Sequence, residues 1–349
     1  LMATKLRLTK KQGFSMPRKE GKISAPHISI LCPILNVRPY IAEMIESVLA
    51  QSYPHWELII MDGKSSDGTI DVIQTYAKRD GRIRVYSEPD ESSWHAVDKG
   101  LDLSRGEFIA IVCGQDGFLD REWLRKCDRV FSDDPQVSLV WGLGRGIRED
   151  GTPFFETDAY SHFLHSESVS QISSNIVKKF LRTTGELITA KWERKKFLVR
   201  KIFTPNAVFI INTLAERNFP GGKIPQKEDW FDYWLKTAMV FPDQSMCVSK
   251  RVFLDCVPRY EPGSRTLGYM TEFFLNFNTK GYLAYFIPTY AVFTRMHPGS
   301  SGERGSHELE YKVQEYFRNV RRFRERLFKN NELFKFVDRY GGVVSTRKF

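Results

Sequence analysis

His27-Ile28-Ser29-Ile30-Leu31-Cys32-Pro33-Ile34-Leu35-Asn36 begins as an apolar run and stops in a polar turn at Asn36. An amphipathic segment follows, with Ile41, Ile45, Val48 and Leu49 at helical spacing, and then Gln51-Ser52-Tyr53-Pro54. A second apolar run, Leu58-Ile59-Ile60-Met61, ends in Asp62-Gly63-Lys64-Ser65-Ser66-Asp67-Gly68-Thr69. Apolar run, helix, apolar run and polar turn predict a β-α-β unit in a parallel sheet. Ligands of such sheets bind at the carboxyl ends of the strands, where both polar turns fall.

The next blocks continue the pattern. Ser87-Glu88-Pro89-Asp90, His95-Ala96-Val97-Asp98-Lys99-Gly100 and Arg105-Gly106-Glu107-Phe108-Ile109 come in order, ahead of a strand predicted over Phe108–Cys113. Beyond it, Arg121–Phe131 reads as a helix and Val137–Leu143 as a strand. These blocks, with Ser29–Asn36, Glu46–Tyr53 and Glu57–Gly63, resemble family 2 glycosyltransferases of the GT-A fold, of the bacterial polysaccharide and O-antigen type. The resemblance covers residues 27 to about 150 and returns near 243–302. It implies an α/β fold: a Rossmann-like, mostly parallel sheet flanked by helices, with a helical insertion and a C-terminal helical extension. Residues 1–24 then form a basic tail and 25–302 the GT-A domain, with a nucleotide-sugar half at 25–150 and an insertion and acceptor half at 151–302. Residues 303–349 form a basic amphipathic helical extension.

Bulk properties bound the function. The chain has 349 residues, enough for a large core, and 52 Lys and Arg against 42 Asp and Glu give a net charge of +10. No run approaches the ~20 apolar residues of a spanning helix, and no signal-peptide pattern opens the chain. The five cysteines lack metal spacing, and Cys32 and Cys113 sit in apolar strands, as buried reduced thiols of a cytosolic protein do. Nucleic acid is the weakest reading of the positive charge, because no finger, helix-turn-helix or RNA-binding signature accompanies it. Much of the charge lies at the two ends. In the stretch Glu308–Lys329, Tyr316 or Phe317, Val320, Phe323 and Leu327 recur at helical spacing, while Arg318, Arg321, Arg322, Arg324 and Arg326 fill the other faces. Such a helix can pack on the domain with its arginines in water or lie on an anionic membrane, and the two are compatible. The expected location is cytoplasmic, peripheral on the inner face of the plasma membrane.

The resemblance assigns site residues. Pro33 and Asn36 frame a nucleotide base and Asp62 meets the nucleoside; Asp90 belongs to the same nucleotide-sugar set. Lys99, a point charge suited to phosphate, stands near the diphosphate or the sugar. His95 and Asp98 depart from the Asp and Asn usual in that block, which leaves the donor sugar open. Family members commonly pair two acids after the strand to clamp Mn²⁺ or Mg²⁺. Here Cys113-Gly114-Gln115-Asp116 keeps one, so Asp116 is the expected metal ligand and Gln115 a partner of the sugar or the cation. A hard cation can be held by one carboxylate, phosphate oxygens and waters. His297, in Phe293-Thr294-Arg295-Met296-His297-Pro298-Gly299-Ser300, matches a histidine that lies against the metal or diphosphate. Asp67-Gly68-Thr69 reads instead as a helix cap.

The general base has two candidates. Glu272 lies in Tyr269-Met270-Thr271-Glu272-Phe273-Phe274, between a Gln244-bearing strand and Ile287-Pro288; Asp229, in Lys227-Glu228-Asp229-Trp230-Phe231-Asp232-Tyr233-Trp234, spells the family's helix better but precedes that strand. The expected activity is inverting, metal-dependent transfer of a sugar from a nucleotide-diphosphate donor, UDP-linked by preference. The expected acceptor is a saccharide or lipid-linked saccharide of cell-surface polysaccharide synthesis. A degenerate relative that binds without turnover is the alternative. A nucleotidyltransferase is a third reading, but Pro33-Ile34-Leu35-Asn36 is not its Gly-rich phosphate loop.

Overall fold

The computed structural model describes residues 27–152, 226–238, 243–261, 269–295, 297 and 307–349. The strands are β1 (Ile28–Ile34), β2 (Trp56–Asp62), β3 (Ile83–Ser87), β4 (Phe108–Ile111), β5 (Gly117–Phe118), β6 (Val137–Ile147), β7 (Met246–Ser249), β8 (Leu283–Arg295), β9 (Leu333–Val337) and β10 (Val343–Lys348). The helices are α1 (Ile41–Leu49), α2 (Thr69–Ala77), α3 (Ser93–Leu103), α4 (Trp123–Asp133), α5 (Lys227–Thr237), α6 (Lys250–Cys256), α7 (Tyr269–Thr279) and α8 (His307–Lys329).

An eight-stranded sheet runs β3-β2-β1-β4-β7-β6-β8-β5. The first four strands are parallel, β7 is antiparallel to both β4 and β6, and β6 runs parallel to β8. Because β4 and β6 are both antiparallel to β7, the carboxyl ends of β1, β2, β4, β6 and β8 share one edge. Alternate residues of β1 and β2 serve opposite faces. Ile30, Cys32, Leu58 and Ile60 meet α1, α2 and α4; Leu31, Ile59 and Met61 meet the layer containing α3, α5, α6 and α7. Burial on both faces explains why these strands read as unbroken apolar runs.

The sequence-based bounds shift modestly. β4 ends at Ile111, not Cys113; α4 runs Trp123–Asp133; and β6 extends past Leu143 to Ile147 because it stays paired with β8 as far as Arg295. The five cysteines form no disulfide, and all are buried except half-buried Cys113. The helical insertion expected at 155–200, like the basic tail, lies outside the described residues.

The C-terminal extension needs correction. It is helical only to Lys329, after which β9 and β10 form an antiparallel hairpin. Phe231 of α5 stacks on Phe334 of β9 at 4.3 Å, and Arg339 at the turn donates to Phe131 O at 3.0 Å. The hairpin therefore belongs to the core. Tyr316, Val320, Phe323 and Leu327 of α8 are buried as expected, while Phe317 is exposed. No described helix is long and apolar enough to cross a membrane.

Candidate active site

The β1 and β2 turns are stitched together by short hydrogen bonds. Asn36, at φ 53° in the left-handed region, donates its N–H to Ser65 Oγ (2.8 Å), and its Oδ1 accepts from Ser66 N (2.9 Å). Asn tolerates this backbone better than most residues. Buried Asp62 accepts from Ser65 N through Oδ1 (3.1 Å) and from Ser87 Oγ through Oδ2 (2.6 Å). Pro33 is interior to β1, opposite Met61. Asp67 accepts from Thr69 N (3.0 Å) and also from Arg38 N (3.0 Å), so it closes the turn ahead of α2, whose N-cap is Gly68, and ties it to the β1 turn. Burial opposes its charge, but these donors and the Thr69 hydroxyl hold its carboxyl below the ordinary value.

The next group sits beside Gly63. A Cβ there would lie 3.4 Å from Asp90 Oδ2, which puts Asp90 against the end of β2. Lys99, on the second turn of α3, forms ion pairs with Asp90 and with Glu88, the latter at 2.8 Å. Partial burial disfavours the Lys99 charge, yet the two carboxylates outweigh it and raise its pKa. Lys99 thus stays an ammonium, held by acids rather than solvated.

Two departures from the family pattern acquire partners that the sequence did not signal. Buried Asp98 pairs with Arg259 Nε at 2.8 Å, and the same guanidinium reaches Asp102 at 2.7 Å. The His95 ring stacks on Tyr260 at 4.2 Å, with 8° between the planes, while its Nδ1 accepts from Glu91 N. Arg259 and Tyr260 lie some 160 residues on in the chain, at a separation where no local periodicity could have linked them.

Asp116 follows β4 and is buried. Arg295 N, at the end of β8, donates to its Oδ1 at 2.9 Å. The Arg295 side chain, also buried, donates to Glu43 Oε2 (2.5 Å) and to the carbonyls of Arg148 (3.2 Å) and Glu149 (2.8 Å). One residue thereby links α1, the turn after β6, β8 and Asp116, and it borders a cleft of about 450 Å³ lined by Tyr40, Glu43, Glu149 and Asp150. The half-buried ring of His297 lies 5.0 Å from that of Tyr40, at the same edge of the sheet. Gln115 is half-buried beside Asp116. No group of three or more His, Cys, Asp or Glu side chains forms a metal cage among the described residues. A donor set of one carboxylate and one imidazole suits a cation shared with phosphate oxygens and water.

The two base candidates separate. Half-buried Glu272 is one turn beyond Tyr269, which stacks on Trp94 of α3 at 4.3 Å, so the start of α7 lies over the first turn of α3. Exposed Asp229 sits at the start of α5, where Lys227 pairs with Asp134, just ahead of β6, and Glu228 accepts from Ser345 of β10 at 2.8 Å. Those contacts belong to the amino end of β6. Asp229 is therefore at the opposite end of the sheet from Asp116, although its helix is the better spelled of the two. Trp230 and Trp234 account for its spelling: both are buried in the core, the latter donating to Tyr316 Oη at 2.8 Å.

Comparison with known proteins matches residues 29–189 to the family described as glycosyl transferase family 2. Over 154 residues the chain is 42% identical to the putative teichuronic acid biosynthesis glycosyltransferase TuaG of Bacillus subtilis, covering 44% of this chain and 59% of that protein. Another relative is a dolichyl N-acetyl-glucosaminyl phosphate diacetamido-dideoxy-glucuronosyltransferase of Methanococcus voltae, 29% identical over 131 residues, or 35% of this chain and 40% of that one. The chain thus spans about 59% and 40% of the length of these two relatives. Among solved structures, S. aureus TarS 1–349 in complex with UDP-GlcNAc aligns at TM-score 0.50 and 12% identity, over 87% of this chain and 71% of that one. At that identity the likeness speaks for the fold, and the fold is GT-A, as the family 2 motifs implied.

Proposed function

We propose that this chain is a family 2 glycosyltransferase, inverting and metal-dependent, of cell-surface polysaccharide synthesis. It takes a sugar from a nucleotide diphosphate, UDP by preference, and places it on a saccharide or lipid-linked saccharide. The observation that carries this reading is the gathering of Asp62, the Asp90–Lys99 pair and Asp116 at the carboxyl edge of one sheet, from three separate strand ends. TuaG and the Methanococcus voltae transferase, both named for saccharide transfer, support the substrate class.

In this reading Asp62 and the Asn36 turn receive the nucleoside, and Lys99 presents its ammonium to the diphosphate. Bound Mn²⁺ or Mg²⁺ would offset the charge of the departing diphosphate, and Asp116 and His297 are the residues that would hold it. Glu272 is the base. The acceptor oxygen bonds to the anomeric carbon as the carbon–oxygen bond to the diphosphate breaks, the bonding pair leaves with the nucleoside diphosphate, and the hydroxyl proton passes to the Glu272 carboxylate. One displacement inverts the anomeric centre.

A thermal-shift series with nucleotide-sugars, with and without Mn²⁺, tests donor binding, since a ligand of the folded state raises stability by mass action. Donor turnover then decides between enzyme and the degenerate alternative, which the thinned acid set favours: binding without transfer or donor hydrolysis would establish the latter. No stabilisation by any nucleotide-sugar would remove both.

A further inference from the structure

The apolar stripe of α8 is spent on the protein itself, with Tyr316, Val320, Phe323 and Leu327 inside. A helix lying on a membrane by its apolar face is therefore ruled out, and what remains is the outer face. At 100° per residue that face carries Phe317, Arg318, Arg321, Arg322, Glu325, Phe328 and Lys329 among the residues whose side chains are described, all exposed, with half-buried Glu315 at its margin. Phe317 is 48% and Phe328 56% exposed, unusual values for phenylalanine. Beside them a groove of about 340 Å³ separates α7 from α8, with Leu275 and Phe323 lining it and Arg322 and Arg326 among its polar walls.

We infer that this face of α8 docks on the surface of an anionic lipid bilayer. Its guanidiniums meet headgroup phosphates, Arg322 and Arg326 from the groove, and Phe317 and Phe328 enter the interfacial layer. Charge complementarity favours any acidic surface, but the spacing of the rings favours lipid. Eleven residues of helix put the two phenyls about 16 Å apart along the axis, Phe317 against Tyr316 and Phe328 edge-on to Phe349, with the exposed Arg318, Arg321 and Arg322 between them. A protein interface needs a contiguous apolar centre, whereas each ring can enter a headgroup layer alone. The helix runs from beyond the site end of β8 back toward the hairpin, so a bilayer against it would meet the flank and leave the carboxyl edge of the sheet open.

The experiment is co-sedimentation of the full chain with phosphatidylcholine vesicles, with and without a third of anionic phosphatidylglycerol, at low and high salt. Binding to the anionic vesicles only, falling with salt, is expected. A basic residue near such a surface contributes about 1 kcal/mol, or about five-fold, so Arg321→Ala with Arg322→Ala should lower partitioning about 25-fold. Phe317→Ala should weaken what remains at high salt. Nucleotide-dependent thermal shifts of these variants serve as the folding control, and vesicle binding does not depend on whether the chain transfers sugar. Absent binding, equal binding to both vesicles, or anionic binding untouched by the three substitutions would overturn the inference; the last would give the interaction to the basic residues 1–22, and the first would leave the face to an acidic protein.

Discussion

Asp62 closes β2 with one hydrogen bond on each oxygen, one from Ser65 in the turn after β2 and one from Ser87 at the end of β3, whereas Asp116 meets the β8 terminus through the Arg295 amide. The two carboxylates should fail differently. Asp116→Ala is expected to abolish the Mn²⁺-dependent part of UDP affinity and keep the metal-independent part. Asp62→Ala should weaken UDP with or without metal. Titration calorimetry in Mn²⁺ and in EDTA checks both, and unchanged Mn²⁺ dependence in Asp116→Ala would sink that assignment. For the base, Glu272→Gln keeps the shape of the side chain but removes the proton acceptor. Transfer should fall about 10²–10⁴-fold with donor affinity intact. Asp229→Asn, at the far end of the sheet, should leave transfer near wild type. Loss in Asp229→Asn alone would reverse the assignment.

At the scale of elements, the parallel half of the sheet is pinned by a buried charge. Glu57 in β2 accepts from Ser29 Oγ (2.7 Å), Arg84 Nη1 (2.8 Å) and Arg105 N (2.6 Å), joining β1, β2, β3 and the start of β4. Burial works against its charge, but these donors prevail and hold its carboxyl below the ordinary value of 4.5. A depressed carboxyl contributes stability that is full above the unfolded value and lost as pH falls through the folded one. Glu57→Gln should therefore cost about 2 kcal/mol at pH 7, the range of hydrogen bonds to a charged group. The gap should close below pH 4.5; urea midpoints at pH 7 and pH 3.5 measure it, and a gap of constant size would show that the charge is irrelevant. Much at this scale was legible in advance. The unbroken apolar runs of β1 and β2, the turn residues after them and the order of the blocks all read locally. The hairpin was missed although Leu333-Phe334-Lys335-Phe336-Val337 is a short, mostly apolar run and Asp338-Arg339-Tyr340-Gly341-Gly342 is a turn, because the helical period of α8 was carried on past its end. Asp98–Arg259 and His95–Tyr260 had no local signal at all, being made by tertiary contact alone.

For the whole molecule, the hairpin and the site lie at opposite ends of the sheet, and this separation is testable. Phe336 is 1% exposed and sits edge-on to Phe231 at 5.4 Å and to Phe334 at 5.2 Å, while Tyr340 Oη donates to Glu107 at 3.2 Å, just before β4. Gly281, at φ 79°, lets the loop before β8 run against the backbone of Lys335, where a Cβ would collide with its carbonyl. The hairpin thus braces α5, β4 and β8 from the amino end. Phe336→Ala removes a ring from a packed aromatic cluster and should cost about 3–5 kcal/mol. Its consequence should be global and not local: the urea midpoint falls, while UDP affinity at 25 °C, measured where the variant is still folded, stays within two-fold of about its wild-type value, because no residue of the proposed donor pocket touches the hairpin. A matched loss of nucleotide affinity in the folded variant would mean that the two ends of the sheet are coupled. A negligible change in the midpoint would mean that the hairpin is an appendage after all, and that the core closes at α5 without it.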